Sequence, residues 1–255
     1  MSDLSAFSLA GKRILVTGAN TGIGQGIALS IARAGGAVVG VGRSAMDDTA
    51  QKVAAVGGDF EAAYCDLADS GEARAMFNRV WDEVGPIDGL VNNAGIIRRA
   101  NAVDLTQADW NDVMDVNLNT VFFLSQAFAR RVFADPGRRG KIVNIASVLS
   151  FQGGIRVASY TASKHGALGI TRLLACEWAP KGINVNGIAP GYIETNNTEA
   201  LRVDSERSAA ILARTPAGRW GRPDDIGDAA VFLLAPASNY MHGAVVPVDG
   251  GWLAR

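Results

Sequence analysis

Short runs rich in Val, Ile and Ala recur along the chain, and longer stretches with apolar residues three and four apart fill the spaces between them. The runs Arg13–Thr17, Ala37–Val41, Phe60–Tyr64, Gly89–Val91, Lys141–Ile145, Asn184–Ile188 and Ala244–Val248 read as strands. Several are apolar at consecutive positions, which suits a parallel strand buried between two helix layers. The periodic stretches Gly22–Ala34, Ser70–Val84, Trp110–Phe133, Ser159–Ala179 and Pro223–Leu234 read as helices. Strand and helix alternate, so repeated β-α-β units and a doubly wound parallel α/β sheet are predicted. No repeat, low-complexity tract or linker interrupts the pattern, and residues 1–255 are expected to form one domain.

The stretch from Gly191 to Gly221 breaks this rhythm. It is polar, with Asn196, Asn197, Thr198, Glu199, Arg202 and Arg207. A long connection past the carboxyl end of a strand is a candidate lid or substrate loop, the alternative being a plain surface excursion.

Composition narrows the class. Of 255 residues 48% are apolar and 19% charged, enough for a large core, and the net charge of -1 offers no basic field for nucleic acid or an anionic membrane. Cys65 and Cys176 have no metal-ligand spacing and read as reduced thiols of a cytoplasmic protein. Residues 1–9 lack the basic region and apolar run of a signal peptide. No apolar stretch approaches the roughly 20 residues of a membrane helix.

The first strand runs into Gly18, Asn20, Thr21, Gly22, Ile23 and Gly24 and then a helix. Glycines at such a turn let the backbone approach a pyrophosphate, and the helix N-terminus offers free N–H groups and a positive dipole. The spacing is GxxxGxG rather than GxGxxG. At the end of the second strand, where an acid would hold the ribose hydroxyls of NAD, stand Arg43 and Ser44. Arg43 can pair with a 2′-phosphate, favouring NADP(H), or lie on the adenine of NAD(H). Asp66 and Leu67 follow the third strand. There a carboxylate can accept from the adenine amino group or cap a helix. Asn93, Ala94 and Gly95 follow the fourth strand, small enough for close approach of a cofactor.

Tyr160 and Lys164 stand four apart in a predicted helix and so share a face. A cation close to a phenol favours the phenolate and lowers its usual pKa near ~10, which suits proton exchange with an alcohol or carbonyl. A surface Tyr/Lys pair is the bland alternative.

The segments TGANTGIG (17–24), NNAG (92–95), VNL (116–118), IAS (145–147), YTASK (160–164) and APGYIET (189–195) follow one another along the chain. With them the sequence resembles the short-chain dehydrogenase/reductase family over essentially its whole length. The resemblance implies a seven-stranded Rossmann sheet, an NAD(P)(H) cofactor, a homotetramer built on helices near 110–133 and 159–179, and a tetrad of Asn117, Ser147, Tyr160 and Lys164. Tyr160 is then the general acid or base. Ser147 positions the substrate oxygen, and Lys164 binds the nicotinamide ribose. Asn117 holds a water that links Lys164 to solvent. Pro190, Gly191, Ile193 and Thr195 seat the carboxamide. Taken singly, Ser147 could instead cap a turn and Asn117 could satisfy only backbone.

Segments 95–99, 149–157, 195–198, 216–221 and 248–255 are similar to the branch of the family that acts on deoxy-keto sugar acids of the 2-dehydro-3-deoxy-D-gluconate type, whose members are mostly NAD-linked. Such a substrate needs a cation for its carboxylate. Arg98, Arg99, Arg156, Arg202 and Arg219 are candidates, with Gln152 and Asn196 for the hydroxyls. Trp220 reads equally as packing residue or sugar platform, and Arg255 as a group reaching a neighbouring subunit. The alternatives are a reductase of another polyol or 3-oxoacyl ketone, and a dinucleotide-binding regulator without turnover.

Overall fold

The computed structural model describes residues 4–255, so residues 1–3 of the segment read for a signal peptide lie outside the described residues. Seven strands form one parallel sheet: β1 (Arg13–Thr17), β2 (Ala37–Gly42), β3 (Phe60–Tyr64), β4 (Gly89–Asn92), β5 (Gly140–Ile145), β6 (Ile183–Pro190) and β7 (Val245–Val248). Their order is β3-β2-β1-β4-β5-β6-β7. Each adjoining pair runs in the same direction, with Leu15 opposite Val39 and Leu90, for example. The order reverses between β1 and β4, and a crevice opens there at the carboxyl ends of the strands.

Alternate residues of a central strand feed two different cores. Leu15, Leu90, Ile142 and Val185 join Phe77, Phe128 and Leu174 on one face. Ile14, Val16, Val91, Val143 and Ile188 join Ile27, Ile31, Ile226 and Leu233 on the other. The continuous apolar runs follow from this double burial. The first face is covered by α3 (Ser70–Val84), α5 (Thr120–Phe133) and α6 (Ala158–Trp178), and the second by α1 (Gly22–Arg33), α2 (Asp47–Ala55) and α9 (Pro223–Leu234).

Three expectations need correction. The helix α2 is absent from the sequence reading. It is short and polar, and only Thr49 and Val53 are buried. The stretch read as one helix over Trp110–Phe133 is broken into α4 (Gln107–Met114), a π-helical turn Asp115–Asn119 and α5. The polar stretch after Gly191 is not an irregular loop. It carries α7 (Glu199–Val203) and α8 (Ser205–Arg214), and Asp204 caps α8 by accepting from the Arg207 amide at 3.0 Å. Leu201, Ile211 and Leu212 of these helices pack with Val148, Tyr192, Trp220 and Trp252 into a small third core. Trp220 is therefore a packing residue. Its indole N–H donates to Ser208 Oγ at 3.2 Å.

Candidate active site

The crevice beyond the strand ends is a cleft of about 730 Å³. Every residue assigned from sequence to the dinucleotide lines it, from Gly18 at the first turn to Thr195 at the start of the lid. Of the residues assigned to substrate, Arg98, Ser147, Tyr160 and Asn196 line it, while Gln152 and Arg156 lie outside its wall.

The glycine turn is shaped for a bulky anion. Gly18 and Gly22 have φ of +67° and +56°, a region that glycine enters without the Cβ penalty. A Cβ on Gly24 would stand 2.0 Å from the Gly18 carbonyl oxygen, so no larger residue fits. The following helix α1 has neither a side-chain cap nor an acid in its first turn. Its first N–H groups and its dipole therefore face the cleft uncontested, which fits a pyrophosphate. The turn is tied to β4: Thr17 Oγ1 accepts from the amides of Asn93 and Ala94 at 2.9 and 3.0 Å, and Asn93 Nδ2 donates to the Thr17 carbonyl at 2.8 Å.

At the adenosine end, Ser44 Oγ accepts from Asn20 Nδ2 at 2.9 Å. The exposed Arg43 stands 3.7 Å from the Asp66 carboxylate. Asp66 also accepts from the Ala68 amide at 3.0 Å, but the cap of α3 is Asp69, not Asp66. The cation and the carboxylate are thus paired with each other at this end of the cleft.

At the other end, Lys164 is 4% exposed and its Nζ donates to the Ile145 carbonyl at 2.7 Å. The same Nζ lies 5.5 Å from the centre of the Tyr160 ring. Ser147 caps the turn after β5, accepting from the Leu149 amide at 3.1 Å, and its hydroxyl hydrogen-bonds Tyr160. Ser150 Oγ donates to the Lys164 carbonyl at 2.7 Å, locking this turn to α6. Asn117 sits on the π-turn, which rotates its side chain inward. The amide closes a ring with the Ile96 backbone, accepting from its N–H and donating to its C=O at 2.9 Å each, and donates to Ser163 Oγ at 3.3 Å. The side chain of Asn117 is thus bonded both to the Ile96 backbone and to Ser163.

The electrostatics correct one expectation. Burial holds the Tyr160 phenol above its ordinary value. The Ser147 hydrogen bond and the charge of Arg99 pull the other way. Burial pulls Lys164 itself down to about 8. In the protein alone, desolvation outweighs the pairing that the four-residue spacing suggested.

The arginines separate. Arg98 is bound by Asp109 and Asp112 at 3.4 and 3.1 Å, and Arg219 grips Asp225 with both nitrogens. Arg202 donates to the Thr195 carbonyl at 3.4 Å, and Arg99 to the Asn197 carbonyl of the lid at 3.2 Å. Gln152 accepts from Arg214, whose guanidinium stacks 4.1 Å over Trp252. Arg255, a candidate for reaching a neighbouring subunit, donates to the Ala213 carbonyl of its own chain.

The sequence reading missed Thr198, which lines the cleft and staples the lid by donating to the Ile193 carbonyl at 2.6 Å. The Thr195–Thr198 spacing of a capping box was the available signal. Among the described residues no His, Cys, Asp or Glu cluster is placed to hold a metal, and no helix is long and apolar enough to cross a membrane.

Known proteins share this arrangement. A 2-dehydro-3-deoxy-D-gluconate 5-dehydrogenase of Escherichia coli K12 is 54% identical over 99% of both chains. A solved structure from Agrobacterium tumefaciens, assigned as a 2-deoxy-D-gluconate 3-dehydrogenase and holding NADP, is 58% identical, covers 98% of this chain and 99% of its own, and superposes with a TM-score of 0.92. A gluconate 5-dehydrogenase from Burkholderia cenocepacia, solved with NADP and tartrate, is 39% identical over 100% of both chains, with a TM-score of 0.93. Residues 18–253 match the family described as Enoyl-(Acyl carrier protein) reductase. With this fold, cleft and likeness, the chain belongs to the short-chain dehydrogenase/reductase family and is an NAD(P)-dependent oxidoreductase.

Proposed function

We propose that the protein moves a hydride between a nicotinamide cofactor and a secondary alcohol or ketone of a deoxy-keto sugar acid of the 2-dehydro-3-deoxy-D-gluconate type. The observation that carries this reading is the convergence of Ser147, Tyr160 and Lys164 at the inner end of a cleft whose outer end fits a dinucleotide. The names of the full-length relatives and the tartrate held by one of them support the substrate class.

The nicotinamide supplies the hydride acceptor or donor when bound. The rest falls to this chain. Ser147 holds the reacting oxygen beside the phenol. In alcohol oxidation Tyr160 takes the hydroxyl proton as the C–H hydride leaves, and in carbonyl reduction it gives that proton back. Lys164 fixes the cofactor ribose and adds positive charge near the phenol. Asn117 holds the segment after β4 against α6 by its bonds to Ile96 and Ser163. Arg43, with no acid at the end of β2, reads a 2′-phosphate once released from Asp66, so NADP(H) is the preferred cofactor. The exposed Phe133 and Leu173 on α5 and α6 support a homotetramer, and the free Cys65 and Cys176 support a cytoplasmic location.

The test is absorbance at 340 nm with both cofactors against deoxy-keto uronic acids, gluconates and 3-oxoacyl ketones. Turnover confined to acyl ketones, or absent throughout, refutes the sugar-acid reading. Light scattering reads the assembly, and a monomeric mass refutes the tetramer.

A further inference from the structure

Ser147 and Lys164 come from different elements, and a third side chain stands between them. Ser150 is 1% exposed and ends the short turn Val148–Ser150 that follows β5. Its hydroxyl accepts from the Ser147 amide at 3.3 Å and donates to the Lys164 carbonyl at 2.7 Å. A hydroxyl has one donor and two acceptor lone pairs, so its only proton is spent on α6. The Lys164 carbonyl has two lone pairs and can take this bond as well as its helical one. Among the described residues no other hydrogen bond runs from this turn to the α6 backbone. The Ser147 hydroxyl in turn accepts from the Leu149 amide at 3.1 Å and hydrogen-bonds Tyr160, so its direction follows the turn. On its other side the turn leans on the lid, since Val148 packs with Ile211, Trp220 and Trp252 in the third core. Ser150 thus ties Ser147 to the helix that carries Tyr160, while Val148 ties it to the lid.

We propose that Ser150 is a positioning residue for proton transfer: its hydroxyl holds the Ser147 turn on α6, so that the Ser147 and Tyr160 hydroxyls meet at the reacting oxygen. The inference rests on the reading of Tyr160 as acid and base given above. Ser150 does not line the cleft, so it acts through Ser147 and Lys164. Alanine in its place leaves the Ser147 amide without its acceptor and frees the turn to move with the lid. The bond from Ser147 favours the phenolate of Tyr160, so loosening it makes that phenolate harder to form. A misplacement of about 1 Å is enough to cost roughly 100-fold in rate.

The test compares the full-length wild type with Ser150→Ala, Ser150→Cys and, as a control, Ser238→Ala. Ser238 is equally buried, donates to the Leu233 carbonyl at 2.8 Å and lies outside the cleft wall. The reaction is NADP-linked oxidation of 2-dehydro-3-deoxy-D-gluconate from neutral to alkaline pH, with thermal unfolding followed in parallel. Ser150→Ala and Ser238→Ala each lose a buried hydrogen bond and melt about 2–4 °C below the wild type. Ser150→Ala loses roughly 10- to 100-fold in kcat with the KM for NADP unchanged. Its rise of kcat/KM with pH is displaced to higher pH. Ser150→Cys, whose thiol is a weak donor, falls between Ser150→Ala and the wild type and carries the comparison if the alanine variant does not fold. Ser238→Ala keeps the wild-type kcat and pH profile. The proposal is overturned if Ser150→Ala melts lower but keeps the wild-type kcat, if its pH profile stays in place, or if Ser238→Ala loses turnover equally. Inactivity of the wild type on this acid, or undiminished turnover in Tyr160→Phe, overturns the functional reading itself and this inference with it.

Discussion

Lys164 should destabilise the cofactor-free fold it serves. Burial lowers its pKa from 10.5 to about 8. Each unit corresponds to about 1.4 kcal/mol, so a shift of this size corresponds to roughly 3 kcal/mol lost while the amine is charged in both states. The sign follows from proton binding. Below pH about 8 folded and unfolded chains both hold the proton, and the penalty is full. Between about 8 and 10.5 the unfolded chain binds more protons than the folded one, so stability rises with pH and the penalty fades. Lys164→Met replaces the amine by an apolar chain of similar length, but strands the Ile145 carbonyl, which costs about 1–3 kcal/mol. At pH 7 the variant should therefore equal or exceed the wild type by up to about 2 kcal/mol, or up to about 6 °C in Tm for a chain of this size. At pH 10 the relief is nearly gone and the lost hydrogen bond remains, so the variant should melt below the wild type. Differential scanning calorimetry of both proteins at the two pH values, without cofactor, reads the crossover. A Tm difference that does not change with pH would refute the buried-charge argument.

Tyr160→Phe should cut turnover by about 10²–10⁴-fold, the usual worth of a positioned acid–base group, with cofactor affinity by fluorescence titration little changed; comparable loss of both would point to a collapsed site. Because burial holds the phenol above its ordinary value, kcat/KM for alcohol oxidation should climb into the alkaline range, and a plateau below neutrality would contradict that. Arg43→Ala should raise the Kd for NADPH roughly tenfold or more, the loss of a charged contact, and leave NADH nearly unaffected; an equal effect on both removes the 2′-phosphate role. Trp252→Ala should cost about 3–5 kcal/mol of packing in the small third core and speed limited proteolysis within residues 199–214, whereas an unchanged cleavage rate would mean that the lid does not lean on the C-terminal turn.

The sequence carried the sheet well because central strands announce themselves twice, by apolar runs and by the turns that end them. The edges were harder. The edge strand β3 was read with its bounds although it has exposed residues on it, whereas α2, which buries only two side chains, has no strong apolar signature. The lid helices hide for the same reason: their apolar residues are few and meet a core made by Trp220 and Trp252, far along the chain. The residues that line the cleft were legible because glycine and small-residue turns have a local cause. The arginines were not, because a guanidinium looks the same in sequence whether it grips Asp225 or faces open solvent.

Alternating strands and helices, the glycine turn and the four-residue interval between Tyr160 and Lys164 are written in the chain, since each depends on neighbours within a few residues. Tertiary structure decided how those groups behave. It supplied the surroundings that desolvate Tyr160 and Lys164, the π-turn that spends Asn117 on Ile96, and the carboxylates that engage some arginines. Charge and proton affinity depend on everything packed within a few ångströms, and most of that arrives from distant parts of the sequence.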